Sequence, residues 1–314
     1  MNDHGGCALH AEHLSHHYGQ RTALDDVSLD IGVGETFALL GPNGGGKTTL
    51  FKLLSTSMPV QAGTLEIFGI GVRNAPLDVR RQIGVVFQSP SLDKKLSVRE
   101  NLLHHARLYG MARSEYLPRM EETLSLLGLA DRLRDRVEQL SGGLARRVEI
   151  AKSLLHGPRL LILDEPSTGL DPAARSDLWK YLASLKESGV TLLTTTHLMD
   201  EAEQGDRVGI LHQGKLVALG SPAVLRSQIG GEVVSIHSAE PDALANMLLQ
   251  HWEIKAEIRG GLVRFEHPTG FDLLPEILDF ARGKVESLSV SRPTLEDVFL
   301  QRTGHRFWGD IEHG

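Results

Sequence analysis

The chain has 314 residues, 41% of them hydrophobic, a formal net charge of −7 and one cysteine, Cys7. At roughly 150 residues per domain that length suggests two domains. The acidic balance argues against nucleic acid as a partner, and a lone cysteine excludes an intrachain disulfide and fits a reducing compartment. Residues 1–7 are polar, with no apolar signal region, and no apolar run approaches the ~18 residues of a membrane span, so a soluble chain is expected. Any membrane role would come through a partner.

Residues 8–40 read as two or three strands, with turns at Gly19 and at glycines 32 and 34. His10, His13, His16 and His17 fall here and are read as exposed polar positions on a strand, because no cysteine or tight ligand pair supports a metal site. Residues 35–40 form a short apolar strand. Gly41-Pro42-Asn43-Gly44-Gly45-Gly46-Lys47-Thr48 follows and matches G-x-x-x-x-G-K-[ST], and Thr49 continues into a helix opening over 49–54. Strand, glycine loop and helix in that order make a phosphate-binding loop. Glycines let backbone N–H groups turn inward, and those groups with the helix N-terminus hold phosphate oxygens. Lys47 would reach the β- and γ-phosphates and the Thr48 hydroxyl would ligate Mg²⁺.

Strands are predicted over 64–69 and 83–87, after which the composition turns helical. Ser97-Val98-Arg99-Glu100 is a capping box opening a helix to about Tyr109, closed by Gly110. A second helix spans about 114–127, with Gly128 as its terminating glycine. A helix over 143–155, a strand over 160–163, a helix over 173–186 and a strand over 190–195 then alternate, as in βα units on a parallel sheet. Residues 207–219 read as a hairpin turning at Gln213-Gly214. A βαββαβ order follows, that of a small ferredoxin-like module. Residues 304–314 are expected to be a tail.

Leu160-Leu161-Ile162-Leu163-Asp164-Glu165 is an apolar strand ending in two acids. Asp164 at the sheet end could hold Mg²⁺, directly or through water, and Glu165 beside it could act as general base on an attacking water. Ser141-Gly142-Gly143 opens another helix and offers a second anion-ready N-terminus. One nucleotide has no need of two such helix ends from one chain, which suggests a head-to-tail dimer in which this end faces a γ-phosphate held by the other subunit.

Together these residues resemble the ATP-binding subunit of an ABC transporter, over about 8–225. The resemblance implies a P-loop α/β fold with an antiparallel β subdomain and a helical insertion at about 89–142. The ferredoxin-like α+β domain would occupy 230–303. It makes the loop from Gly41 to Thr49 the Walker A segment, Asp164 and Glu165 the Walker B end, and Ser141-Gly142-Gly143 the signature acting in trans. Gln88 resembles the Q-loop glutamine that senses Mg²⁺, and Asp171 in Gly169-Leu170-Asp171 the D-loop at the dimer seam. His197 resembles the switch histidine on the γ-phosphate, and Tyr18 the aromatic that stacks on the base. Leu144 stands where the family often has glutamine, and Lys152-Ser153 replaces a common Arg-Ala pair. The runs from Leu163 to Pro172 and from Thr196 to Glu203, with Pro293-Thr294-Leu295-Glu296-Asp297-Val298-Phe299-Leu300, are similar to the drug-resistance and polysaccharide-export branch.

That branch implies ATP and Mg²⁺ as cofactors and a second ATPase subunit, in the first instance another copy of the chain. It also implies a separate permease of about six spans and a place on the cytoplasmic face of the cell membrane. An importer subunit would share every chemical residue, and only the C-terminal motif argues against it. A ribosome- or DNA-directed relative would bring two ATPase units, a long charged linker, or a coiled coil with zinc cysteines. A GTPase switch would need N-K-x-D, which is absent from the sequence.

Overall fold

The computed structural model describes residues 6–281, 283–304 and 307. The expected tail at 304–314 lies outside these residues except for Gly304 and Phe307. The chain divides into two compact units, one ending at Leu219 and the other starting at Gly220.

The first unit opens with β1 (Cys7–Tyr18), β2 (Arg21–Gly32) and β3 (Thr36–Leu40), then α1 (Lys47–Leu54), β4 (Ala62–Ile67) and β5 (Ile70–Gly71). Next come α2 (Pro76–Gln82), β6 (Ile83–Val86), α3 (Val98–Leu108), α4 (Arg113–Leu126) and α5 (Gly142–Leu154). The unit continues with β7 (Leu160–Asp164), α6 (Pro172–Glu187), β8 (Thr191–Thr196), α7 (Met199–Ala202), β9 (Arg207–His212) and β10 (Lys215–Gly220). β2-β1-β4-β5 form an antiparallel sheet, and β10-β9-β3-β8-β7-β6 form the main sheet. In the main sheet β9, β3, β8, β7 and β6 run parallel. β3, β7 and β8 are buried at every position, as strands covered on both faces must be.

Two apolar layers cover that sheet. On one side Phe51, Leu53 and Leu54 of α1 meet Leu9, Leu29 and Leu65 of the antiparallel sheet. On the other, Leu102, Leu124, Val148 and Leu182 of α3, α4, α5 and α6 pack together. The capping box that starts α3 is present: the Ser97 hydroxyl accepts from Glu100 N at 3.2 Å, and the Glu100 carboxylate accepts from Ser97 N at 2.8 Å.

Three features differ from the sequence expectations. Helix α2 occupies the stretch between the strands expected over 64–69 and 83–87; Pro76 at its first turn, with Asp78 early and Arg80 and Arg81 late, is its signal. Of the four histidines in β1, His16 is buried rather than exposed, 3% accessible. The irregular pairing between Ala11 and Leu14, with His13 at φ 53°, interrupts the alternation and turns that side chain inward. His10 and His13 pair instead with Asp30 and Asp26, at 2.5 and 2.6 Å.

The second unit carries α8 (Pro222–Ser227), β11 (Glu232–His237), α9 (Pro241–Trp252), β12 (Glu257–Arg259), β13 (Leu262–His267), α10 (Gly270–Phe280), β14 (Ser287–Ser291) and α11 (Leu295–Thr303). Its sheet order is β12-β13-β11-β14, antiparallel throughout, the arrangement a ferredoxin-like βαββαβ unit requires. β12 has three residues, and α9 before it runs on to Trp252 and stops at Glu253 with φ 57°. Thr294 caps α11, and Asp297 in its first turn pairs with Arg264 of β13.

Candidate functional site

The C-terminal ends of three adjacent parallel strands set the geometry. Leu40 of β3 pairs with Thr196 of β8, and Thr195 pairs with Asp164 of β7. That register delivers Gly41, His197 and Glu165 to one edge of the sheet, where open α/β sheets place their ligands.

The loop from Gly41 to Lys47 is held from below and left open above. Gly41 N donates to Thr196 O at 3.3 Å, and Gly214 N donates to Gly45 O at 2.9 Å. Gly46 stands at φ 109°, and a Cβ there would come within 2.8 Å of the Ala23 carbonyl oxygen. Only glycine fits both conditions. Gly46 caps α1 without a side-chain hydrogen bond, so the first N–H groups of that helix are not claimed by a capping side chain. Lys47 is 5% accessible; its Nζ donates to Gly41 O at 2.7 Å and Pro42 O at 3.2 Å, and lies 3.5 Å from Glu165 Oε1. Burial lowers the Lys47 ammonium from its ordinary value, opposed by Glu165 and Asp164.

Glu165 is the point on which side chains from distant parts of the chain converge. Its Oε2 receives Gln88 Nε2 at 3.0 Å and Thr168 Oγ1 at 3.3 Å, and lies 3.1 Å from His197 Nδ1. Its backbone sits at φ 42°, with N–H to Thr195 O at 3.1 Å and to Thr195 Oγ1 at 3.0 Å. A positive φ on a non-glycine residue is a strained placement, found where surrounding structure over-determines it. Burial raises the Asp164 carboxyl, opposed by the hydrogen bond it accepts from Thr195 Oγ1 at 2.5 Å.

A cavity of about 250 Å³ gathers Tyr18, Pro42, Asn43, Gly44, Gly46, Lys47, Thr48, Thr49, Gln88 and Glu165 on one wall system. Arg21, not singled out in the sequence, joins them. Gly41, Gly45, Ser141, Gly142, Gly143, Asp164, Asp171 and His197 do not line it. Ser141 caps α5, accepting from Leu144 N at 3.3 Å, and Asp171 caps α6, accepting from Ala174 N at 2.9 Å. Gly142 instead lines a larger cavity of about 470 Å³, shared with Gln88, Arg146, Glu149 and Leu170.

The charged groups inside α5 were not read from the sequence. Arg146 is 8% accessible and Glu149 4%, and they pair at 2.7 Å. The Arg146 guanidinium also donates to Phe87 O at 2.6 Å, Pro166 O at 2.8 Å and Asp164 O at 3.2 Å. Glu149 Oε1 accepts from Ser91 N at 2.5 Å, and Lys152 Nζ donates to Ser91 Oγ at 2.5 Å. Both flanks of Gln88 are thus strapped to α5. Arg146, Glu149, Ile150 and Ser153 fall on one buried helical stripe, which a sequence with two charges and a serine on it does not announce as buried.

Thr48, Gln88 and Asp164 offer oxygen donors only, the set Mg²⁺ takes. Among the described residues no three His, Cys, Asp or Glu side chains converge on a metal position. A cation bound here would complete its shell with substrate phosphates and water, as Mg²⁺ sites commonly do.

Comparison with known proteins identifies the family. Residues 24–168 match the ABC transporter family model, and residues 220–303 match the C-terminal domain of DrrA1-3-like ATP-binding proteins. The Nod factor export ATP-binding protein I of Burkholderia orbicola is 38% identical over 293 residues, covering 91% of this chain and 94% of the relative. The linearmycin resistance ATP-binding protein LnrL of Bacillus subtilis is 33% identical, covering 94% and 98%. The daunorubicin resistance ATP-binding protein DrrA2 of Streptomyces coeruleorubidus is 33% identical, covering 96% of each. Among solved structures, an ATP-binding subunit of an ABC transporter superposes with a TM-score of 0.63 at 33% identity, covering 70% of this chain and 92% of that one. CbiO1 of Clostridium perfringens, part of the ABC transporter complex cbiONQ, gives 0.66 at 27% identity, covering 79% and 97%. Since the relatives share both units and nearly their whole length with it, the chain belongs to the ABC transporter family, as an ATP-hydrolysing subunit of its drug-resistance and polysaccharide-export branch.

Proposed function

We propose that two copies of this chain close head to tail around ATP and Mg²⁺ and drive a separate membrane permease of about six spans in the direction of export. The convergence of Gln88 and His197 on the carboxylate of Glu165, a residue that lines the loop cavity, carries this reading. In it, the α1 N-terminus, the loop N–H groups and Lys47 hold the β- and γ-phosphates. Tyr18 stacks on the base. Glu165 takes a proton from the attacking water, and His197 holds that carboxylate and the γ-phosphate in register. Thr48, Gln88 and Asp164 would hold Mg²⁺, which when bound neutralises charge on the phosphates. Ser141, Gly142 and Gly143 present the α5 N-terminus to the γ-phosphate of the partner subunit, with Asp171 at the seam.

Among the described residues no helix is long and apolar enough to cross a membrane, which supports attachment through the permease on the cytoplasmic face. The helical insertion after Gln88 is the surface through which closure would act. The relatives' names mention Nod factor, linearmycin and daunorubicin, and that variety on similar chains supports cargo selection by the permease.

Tagged chain drawn from solubilised membranes should bring a polytopic subunit with it. Recovery only from the soluble fraction, with a six-span subunit from an adjacent reading frame co-expressed, would overturn the export reading.

A further inference from the structure

We propose that Glu201 is a positioning residue that holds His197 against Glu165. The idea rests on the reading of Glu165 and His197 as the hydrolytic pair, and it assigns a role to a residue which that reading leaves unused.

Glu201 lies in α7, a single turn following β8, and is 2% accessible. A buried carboxylate is costly unless it is hydrogen-bonded and paired. Its partners come from the two segments that carry the pair. Thr196 Oγ1 donates to Glu201 Oε2 at 2.7 Å, and Thr196 is the residue before His197. The same hydroxyl accepts Leu198 N–H at 3.0 Å, so the backbone on both sides of His197 is tied to one point. On the other side, the Ser167 hydroxyl donates to Glu201 Oε1. Ser167 belongs to the turn that Glu165 opens, closed by Thr168 N to Glu165 O at 3.1 Å. Arg175 of α6 places its Nε 3.6 Å from Glu201 Oε1 and supplies the countercharge.

One carboxylate therefore bridges the turn that bears Glu165 and the strand end that bears His197. Those two residues come from segments more than thirty positions apart, and the bonds named above link the segments through Glu201. Removing the bridge takes away no wall of the loop cavity, because Glu201 does not line it. What it loosens is the 3.1 Å approach of His197 Nδ1 to Glu165 Oε2.

The test is a double-mutant cycle on the full chain, reading ATP affinity and single-turnover hydrolysis separately. Glu201→Ala should leave ATP affinity within about twofold and slow hydrolysis by ~10–100-fold, as expected of a group that acts through another. Glu201→Gln keeps the length and can still bond both hydroxyls, so it should recover most of the rate. In a His197→Ala background, adding Glu201→Ala should cost less than about twofold more, since a residue acting through His197 has nothing left to position. Equal losses with and without His197, or no loss in the wild-type background, would overturn the proposal. Should Glu201→Ala not fold, Ser167→Ala and Thr196→Val remove the two hydrogen bonds singly, and either one slowing hydrolysis only when His197 is present carries the same conclusion; no slowing by either overturns it. His197→Ala hydrolysing like wild type would instead remove the pair itself, and with it the assignment on which the proposal rests.

Discussion

Lys47 and Glu165 face each other across the loop, Nζ to Oε1 at 3.5 Å, while Glu165 Oε2 is taken by Gln88, Thr168 and His197. The carboxylate thus has Oε2 anchored and Oε1 facing the Lys47 ammonium. That division suits a base, which must be held by one atom and react with the other.

Glu165→Gln should therefore bind ATP like wild type and hydrolyse it ~10²–10⁴-fold more slowly, the usual size of a general-base contribution. Single-turnover hydrolysis measured beside equilibrium binding checks both halves. An unchanged single-turnover rate would show that Glu165 is not the base.

Tyr18 lines the cavity and is 47% accessible, with its hydroxyl 3.1 Å from Met58 Sδ. Tyr18→Ala should weaken ATP binding by ~1–3 kcal/mol, roughly 5- to 150-fold in Kd, if the ring stacks on the base. Titration calorimetry would read this. A change below twofold would mean that the ring only packs.

Arg146 and Glu149 form a buried pair at 2.7 Å that also anchors the segment after β6. Arg146→Ala leaves a buried carboxylate without its countercharge and should lower the unfolding free energy by ~3–5 kcal/mol, whereas replacing both residues by Met should restore much of it. Urea unfolding of the single and double variants decides the matter. A single variant as stable as wild type would show that the pair contributes specificity alone.

His105 and His156 should make stability fall with acid. Their rings lie 5.8 Å apart, and Tyr109 stacks on His156 at 4.0 Å. Nε2 of His105 and Nδ1 of His156 are buried without a hydrogen-bond partner among the described residues. Burial first, then the charges of His156 and Lys152, pushes His105 down to about 4, and burial lowers His156 as well. The fold keeps His105 neutral where the unfolded chain takes up a proton. Its contribution is present in full above the unfolded value near about 6.5 and is lost as pH falls toward about 4, on the order of 2–3 kcal/mol. Urea midpoints across that window should drop, and His105→Phe should flatten the slope. An equal slope in the variant would place the acid sensitivity elsewhere.

Much of the fold follows from local pattern. Ser97 and Glu100 mark the start of α3, continuous apolar runs mark β3, β7 and β8, and Gln213-Gly214 marks the β9–β10 turn. Helix α2 is faint in the sequence because at seven residues it shows two turns of pattern and one apolar buried position, Val79. The burial of His16 is hidden in the sequence because alternation fails at a bulge, which depends on the register of two strands and not on one. The phosphate loop is local and shows in eight consecutive residues. The polar network behind it is not: Arg146, Ser91, Thr195 and Glu201 act through partners 20 to 60 or so positions away, and only tertiary contact gives such residues a reason to be buried.

The central claim is that each loop is half of a site, completed by Ser141 of a second subunit. Ser141→Arg blocks the α5 N-terminus and Lys47→Ala empties the loop of its cation, so each variant alone should be inactive. Mixed, they should form dimers in which an intact loop meets an intact Ser141. ATP turnover of the mixture is the measurement: recovery above either variant alone is the expected result, and a mixture as inactive as its components would contradict completion of the site in trans.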